Sequence, residues 1–325
     1  MLLKLEEVIE SIKAGKKLAL AGDEKLLGKL PQGNWIGGTI PYFMDINGGI
    51  ATRELIFVQE LSCTTQNLKI QFYDENELQN IPADSPDNGY SIIIVPSGSK
   101  AHLKYAHEAP DYSELFFKQI IGWVAGIHLD DLGKETPKVF NGLTGESSAD
   151  KMIVLHAALP ANKRASIGIL NIFEQGDGDT ITFPADGFSV AECCVNGKKR
   201  NFSEYLSEVK ADLKFPLVAN YSGTMINISF QSIDEANKTV NFYAPVFTNV
   251  AYKFAKPVSD YVGEFCKILP EGLTNLDFSC NCILNYLYSN LEGKKTGNIT
   301  GPITFGEIAY QLLNQTLVYL EITNS

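Results

Sequence analysis

Leu5, Val8, Ile9 and Ile12 recur at helical spacing with Glu6, Glu7 and Glu10 between them. That pattern predicts an amphipathic surface helix ended at Gly15. Short apolar runs follow, separated by turn residues. Segments 18–21, 54–59, 68–73, 152–159 and 166–173 read as strands, and the β-branched run Ser91-Ile-Ile-Ile-Val95 reads as a buried one. Residues 30–44, LPQGNWIGGTIPYFM, are turn-rich and then apolar. Residues 74–88 are acidic and carry prolines, which predicts a loop with a short helix around 75–79. Asp111-Tyr-Ser-Glu114 has the spacing of a capping box. Phe117, Ile120, Ile121 and Val124 follow on one face, so a helix is predicted there.

Beyond a Gly- and Asp-rich run at 174–180, suited to a hinge, the texture changes at about residue 186. A strand over 190–195 meets Asn196-Gly197, the strongest short hairpin signal in the chain. Asn201-Phe-Ser-Glu204 opens a helix with Phe202, Tyr205, Leu206, Val209 and Leu213 on one face. Strands over 225–231 and 239–247 flank a polar turn at 234–237. Cys280, Ile283, Leu284, Leu287 and Leu291 then stand at helical spacing, and a last strand covers 316–322. The fold class that follows is α+β, mixed α/β, in two units, 1–185 and 186–325. Each is expected to hold a mainly mixed or antiparallel sheet packed by helices.

Length and composition sharpen this. A chain of 325 residues with 45% hydrophobic and 20% charged residues is expected to form two ordinary globular domains. A net charge of −11 argues against a protein that coats nucleic acid or anionic lipid, and Lys198-Lys199-Arg200 reads as a solvated turn. The first residues lack the continuous apolar centre of a signal peptide, and no run approaches the roughly 18 residues of a membrane span. The expected address is cytoplasmic. Six cysteines, at 63, 193, 194, 266, 280 and 282, include no CxxC pair, so structural thiols are expected and no metal or cofactor. Asn298-Ile-Thr then carries no glycosylation meaning.

Candidate chemistry is sparse. On a helix Cys280 and Cys282 would point roughly 200° apart, which suits a buried thiol better than a metal site. Ser97 or Ser99 with His102 or His107 outlines a hydrolase, but no complete Gly-x-Ser-x-Gly elbow is present and the histidines read as surface loop residues. No Cys-x-x-Cys-His accompanies His102, His107, His128 or His156 as a haem attachment. Asn141-Gly-Leu-Thr-Gly-Glu-Ser-Ser148 lacks the lysine of a phosphate loop and reads as a polar loop. Trp35, within Gly33-Asn-Trp-Ile-Gly-Gly38, fits either a pocket wall or a core aromatic in a tight turn.

The carboxy-terminal order is distinctive: Phe278-Ser-Cys280, a helix, Gly301-Pro-Ile-Thr-Phe-Gly-Glu-Ile308 and then Asn314-Gln-Thr-Leu-Val318. It resembles the carboxy-terminal half of FIST sensory domains, with a Phe-x-Cys strand end, a Gly-x-x-x-x-Gly-Glu-Ile turn and an Asn-x-Thr before the last strand. Residues 31–43 are similar to the glycine-bearing strand end of the amino-terminal half. The sequence departs from that family in carrying Asn281-Cys282-Ile283 where an arginine is usual, and no fused output module is expected. The resemblance implies a non-enzymatic, cytoplasmic sensor of a small polar molecule, partnered by a separate signalling output protein, without cofactor, nucleic acid or membrane. It implies a site formed by Trp35, Gly37, Gly38 and Thr39 with Thr304, Phe305, Gly306, Glu307, Asn314 and Thr316. The same residues also suit a plain scaffold, with Glu307 capping backbone amides. A hydrolase using Ser97 or Ser99 and a ligand-free interaction scaffold are the alternatives.

Overall fold

A computed structural model describes residues 1–62, 65, 67–221, 223–271, 273 and 276–325; Cys63 lies outside the described residues. The fold is α+β, built from mixed and antiparallel sheets with short helices. The chain divides into two compact units, each discontinuous in sequence. The first takes residues 1–170, 269–312 and 317–325, and the second takes 171–268 and 313–316. This differs from a single cut between 185 and 186, and strand pairing gives the reason. Lys163–Leu170 runs antiparallel to Leu317–Asn324 along its whole length, from Lys163 opposite Asn324 to Leu170 opposite Leu317. The carboxy-terminal strands therefore complete the first unit.

That unit repeats one device: a strand, a short helix and a second strand parallel to the first. Leu18–Gly22 is followed by the helix Glu24–Leu27 and the parallel strand Trp35–Thr39. Gly89–Pro96 is followed by Lys100–Glu108 and the parallel strand Ile120–Ala125. Phe278–Cys282 leads to Ile283–Tyr288 and the parallel strand Gly301–Thr304. Parallel strands buried on both faces read as continuous apolar runs, and here all three first strands are buried throughout.

Several predicted elements change type for that reason. Residues 120–125 form a strand and not a helix: the run Ile-Ile-Gly-Trp-Val-Ala is buried at every position, so periodicity cannot separate the two. Glu114, at φ 64°, breaks the expected helix, and only the 3-10 turn Leu115–Phe117 remains. Cys280 and Cys282 lie on the Phe278–Cys282 strand, not on a helix; residues two apart on a strand face the same side. His102 and His107 lie on the helix Lys100–Glu108 instead of a surface loop, with His102 buried. The 139–148 stretch is a hairpin of Val139–Asn141 and Glu146–Ser148, continuing the Trp35–Thr39 sheet.

The second unit is antiparallel in its strand pairs. One sheet has the order Lys198–Asn201, Glu192–Val195, Ile181–Thr182, Tyr252–Phe254, Leu217–Tyr221, Thr224–Ile228; another places Thr239–Val246 between Gly187–Val190 and Phe230–Asp234. Asn196 (φ 49°) and Gly197 (φ 79°) make the predicted two-residue hairpin turn between Val195 and Lys198. Asn201 caps the helix Phe202–Val209 by accepting from Glu204 N at 3.0 Å, and Lys210 in the left-handed region ends it before Leu213. Phe202 anchors an aromatic core with Phe183, Phe230 and Phe242, at ring distances of 5.2 to 6.3 Å.

Candidate functional site

Trp35, Gly37, Gly38 and Thr39 occupy a fully buried strand. The Trp35 ring stacks on Phe140 and its Nε1 donates to Pro31 O at 2.9 Å. A Cβ on Gly38 would lie 2.6 Å from Ile94 and 2.7 Å from Trp123, so two side chains already fill that space. Thr39 O accepts from Gly126 N at 2.8 Å, and its Oγ1 accepts from Lys138 N at 2.9 Å.

Thr304, Phe305, Gly306 and Glu307 lie at the end of the neighbouring strand Ile120–Ala125. Phe305 N donates to Val124 O at 3.1 Å and Val124 N donates to Gly306 O at 2.9 Å. The Phe305 ring covers Gly126, where a Cβ would lie 2.4 Å from it. Thr304 Oγ1 lies 3.0 Å from Gly306 O, toward which it donates. Glu307 pairs with Trp123 and is fully buried. The structure thus brings both segments together around residues 123–126. The cleft that Thr39 and Gly126 line there holds only about 10 Å³, at the lower limit for one water molecule.

Asn314 and Thr316 belong to the second unit. Asn314 O accepts from Asn227 Nδ2 at 3.1 Å. Between them Gln315, at φ 50°, accepts from Ser229 Oγ at 2.7 Å and donates to Lys214 O at 3.0 Å. Buried polar groups bonded in this way hold a segment in place.

Cys280 and Cys282 are both buried, and Cys280 Sγ donates to Gly122 O at 3.4 Å. Burial, then the neighbouring Glu307 and Cys282, push the Cys280 thiol well above its ordinary range, away from the reactive thiolate. None of the described cysteines forms a disulfide, and among the described residues no three His, Cys, Asp or Glu are grouped to hold a metal ion. Ser99 spends its hydroxyl oxygen on capping a helix, accepting from His102 N at 3.1 Å. His102 Nδ1 in turn accepts from Gly98 N at 3.2 Å, and burial pulls this imidazole down to about 4.

A roomier space in the first unit lies elsewhere. A groove of about 600 Å³ runs between the edge formed by Leu3, Val58, Gln59 and Glu60, the turn at Ile46, and the residues Leu276, Ser279, Asn298, Ile299 and Thr300. This volume falls within the range of small-molecule sites. Its apolar lining includes Leu3, Ile46, Val58, Leu276 and Ile299, and Ser11, Lys16, Glu60, Asn298 and Thr300 bring polar groups. Gln59 Nε2 donates to Leu276 O at 3.3 Å, Lys16 pairs with Glu60 at 2.7 Å, and Ser279 Oγ donates to Thr300 O at 2.7 Å. Beside the groove, burial raises the Asp277 carboxyl to about 6, although Ile322 N donates to it at 3.0 Å. Sequence reasoning missed this groove because its walls come from at least five separated stretches, none with a catalytic or ligand-binding motif of its own.

Among the described residues, no helix is long and apolar enough to cross a membrane. Residues 3–323 match a family of unknown function (DUF6976), and the chain belongs to that family. No curated protein and no solved structure matches.

Proposed function

We propose that this member of the family is a non-enzymatic, cytoplasmic binding protein that holds a small polar molecule in the 600 Å³ groove and reports it to a separate output protein. The observation that carries the reading is the groove itself: an apolar lining joined by the hydroxyl-bearing Ser11 and Thr300 and the amide-bearing Asn298. Such a lining gives affinity through burial and orientation through a few polar contacts. The likeness of residues 278–318 to FIST sensory domains supports the same class of function, while the 123–126 region serves as the packed floor of the fold.

Binding raises thermal stability in proportion to ligand excess over Kd. A melting screen of amino acids, polyamines, nucleosides and organic acids is expected to find a compound that raises the melting temperature by a few degrees. Ser11→Trp, on the groove side of the helix Leu5–Lys13, is expected to abolish that response while melting like the native chain without ligand. No shift with any compound, or equal shifts in both proteins, contradicts the proposal.

A further inference from the structure

The first unit buries a continuous chain of polar side chains that crosses three strands, Leu68–Tyr73, Met152–Ala158 and Gly89–Pro96. Ser85 Oγ lies 2.8 Å from Ile81 O and 2.8 Å from Ser91 Oγ. Ser91 Oγ lies 2.8 Å from His156 Nδ1, and His156 Nε2 lies 2.8 Å from Tyr73 Oη. Tyr73 Oη then lies 2.7 Å from Asp84 Oδ2, at the end of the helix Ile81–Asp84. Ser85, Ser91, His156 and Tyr73 are buried. Asp84 reaches the surface, with Lys69 at 3.3 Å.

Counting hydrogens along this chain gives an unequal sum. Five contacts join its members, and each needs one hydrogen. The two serines, the tyrosine and a neutral imidazole supply four. The Ile81 carbonyl and the Asp84 carboxylate supply none. With a neutral ring, one short contact therefore sets lone pair against lone pair. A proton on His156 removes the shortfall. Nδ1–H then donates to Ser91, Ser91 to Ser85 and Ser85 to Ile81 O, while Nε2–H donates to Tyr73 and Tyr73 to Asp84. Every hydrogen points away from the imidazolium toward an acceptor.

We propose that this chain is a proton-uptake device: on acidification the folded protein takes one proton from solvent onto His156, completing all five contacts and tightening the Tyr73–Asp84 clamp on the acidic 74–84 segment. The charged groups that face the ring are Lys69 on the Leu68–Tyr73 strand and Asp84 on the helix, and Glu77 acts on Tyr73. Burial, and then Lys69, pull the imidazole down to about 4, while the Asp84 carboxylate works the other way. Uptake thus belongs to the acid range. At Asp84 burial works upward, but the Tyr73 hydroxyl and Lys69 outweigh it and hold the carboxyl below its ordinary value.

Ring-resolved NMR of the histidine-labelled full chain, titrated from pH 7.5 to 3.5, tests the device; His156→Gln identifies the resonance. The native ring is expected to titrate while the backbone spectrum stays folded, and to pass from one ring N–H signal to two. Tyr73→Phe removes the acceptor of Nε2–H and leaves a chain that a neutral ring satisfies, so proton affinity is expected to fall about tenfold, about one pH unit. Ser91→Ala acts equally on the other arm and decides the matter if Tyr73→Phe does not fold. Lys69, Asp84 and burial are retained in both variants. An unchanged midpoint in a folded variant overturns the proposal, as does a native ring that stays neutral until the protein unfolds.

Discussion

His102 illustrates how a residue that looks catalytic in sequence can be a structural one. It lies on a helix whose first turn packs inward, so its ring is buried near the Ser99 cap. The sequence shows Ser99 and His102 close together, and that closeness arises from a helix start: Ser is a favoured N-cap, and its partner is the N–H three residues on. The buried ring has a consequence for acid stability. Its folded-state value of about 4 lies below the ordinary 6.5. The unfolded chain therefore binds the proton first as pH falls, and the ring's contribution is complete above about 6.5 and lost toward 4. His102→Asn keeps an acceptor for Gly98 N but does not titrate. Between pH 7 and 4 the native protein is expected to lose about 3 kcal/mol more stability than this variant. Urea unfolding at a series of pH values measures the difference, and parallel curves would count against a buried neutral ring.

At the scale of elements, legibility follows from how much of the decision is local. The first helix, the Asn196-Gly197 hairpin and the Asn201-capped helix are set by neighbouring residues, and the structure keeps all three. The strand Ile120–Ala125 was not legible, because its type is decided by partners. Gly89–Pro96 lies parallel on one side and Glu307–Ala309 antiparallel on the other. Gly122 marks that dependence, since a Cβ there would lie 1.9 Å from Ile93 O. Gly122→Ala cannot be absorbed by moving a flexible side chain, because the obstacle is backbone. It is expected to cost at least about 3 kcal/mol, at the upper end of overpacking, measurable as a large fall in the denaturation midpoint. A loss under about 0.5 kcal/mol would mean the two strands are not in this register. The site segments show the same division. Their glycines and turn were visible in sequence, but that neighbouring rings fill the space beside them depends on Trp123 and Phe305, which contact Gly38 and Gly126 only through the fold.

For the whole molecule, the sequence indicated an α+β chain with a change in texture at about residue 186, but not that the chain returns to its first unit. That return is written in long-range pairings such as Lys163 with Asn324 and Gly301 with Met44, which no local pattern encodes. Fragments 1–185 and 186–325, made separately, each lose these partners: the first exposes the Lys163–Leu170 edge, and the second strands Leu317–Asn324 without it. Neither is expected to melt cooperatively or to give a dispersed NMR spectrum, and cooperative folding of either would contradict the interleaved division.

Methyl-resolved NMR of the full chain, titrated with the compound that gives the largest melting shift, bears most directly on the groove as the binding site. Perturbations centred on Leu3, Ile46, Val58, Leu276 and Ile299, the apolar lining of the groove, are the expected result. Perturbations confined to Ile94, Ile303 and Ile308 around the packed strand ends, or to methyls of the second unit, or none at all, would contradict it.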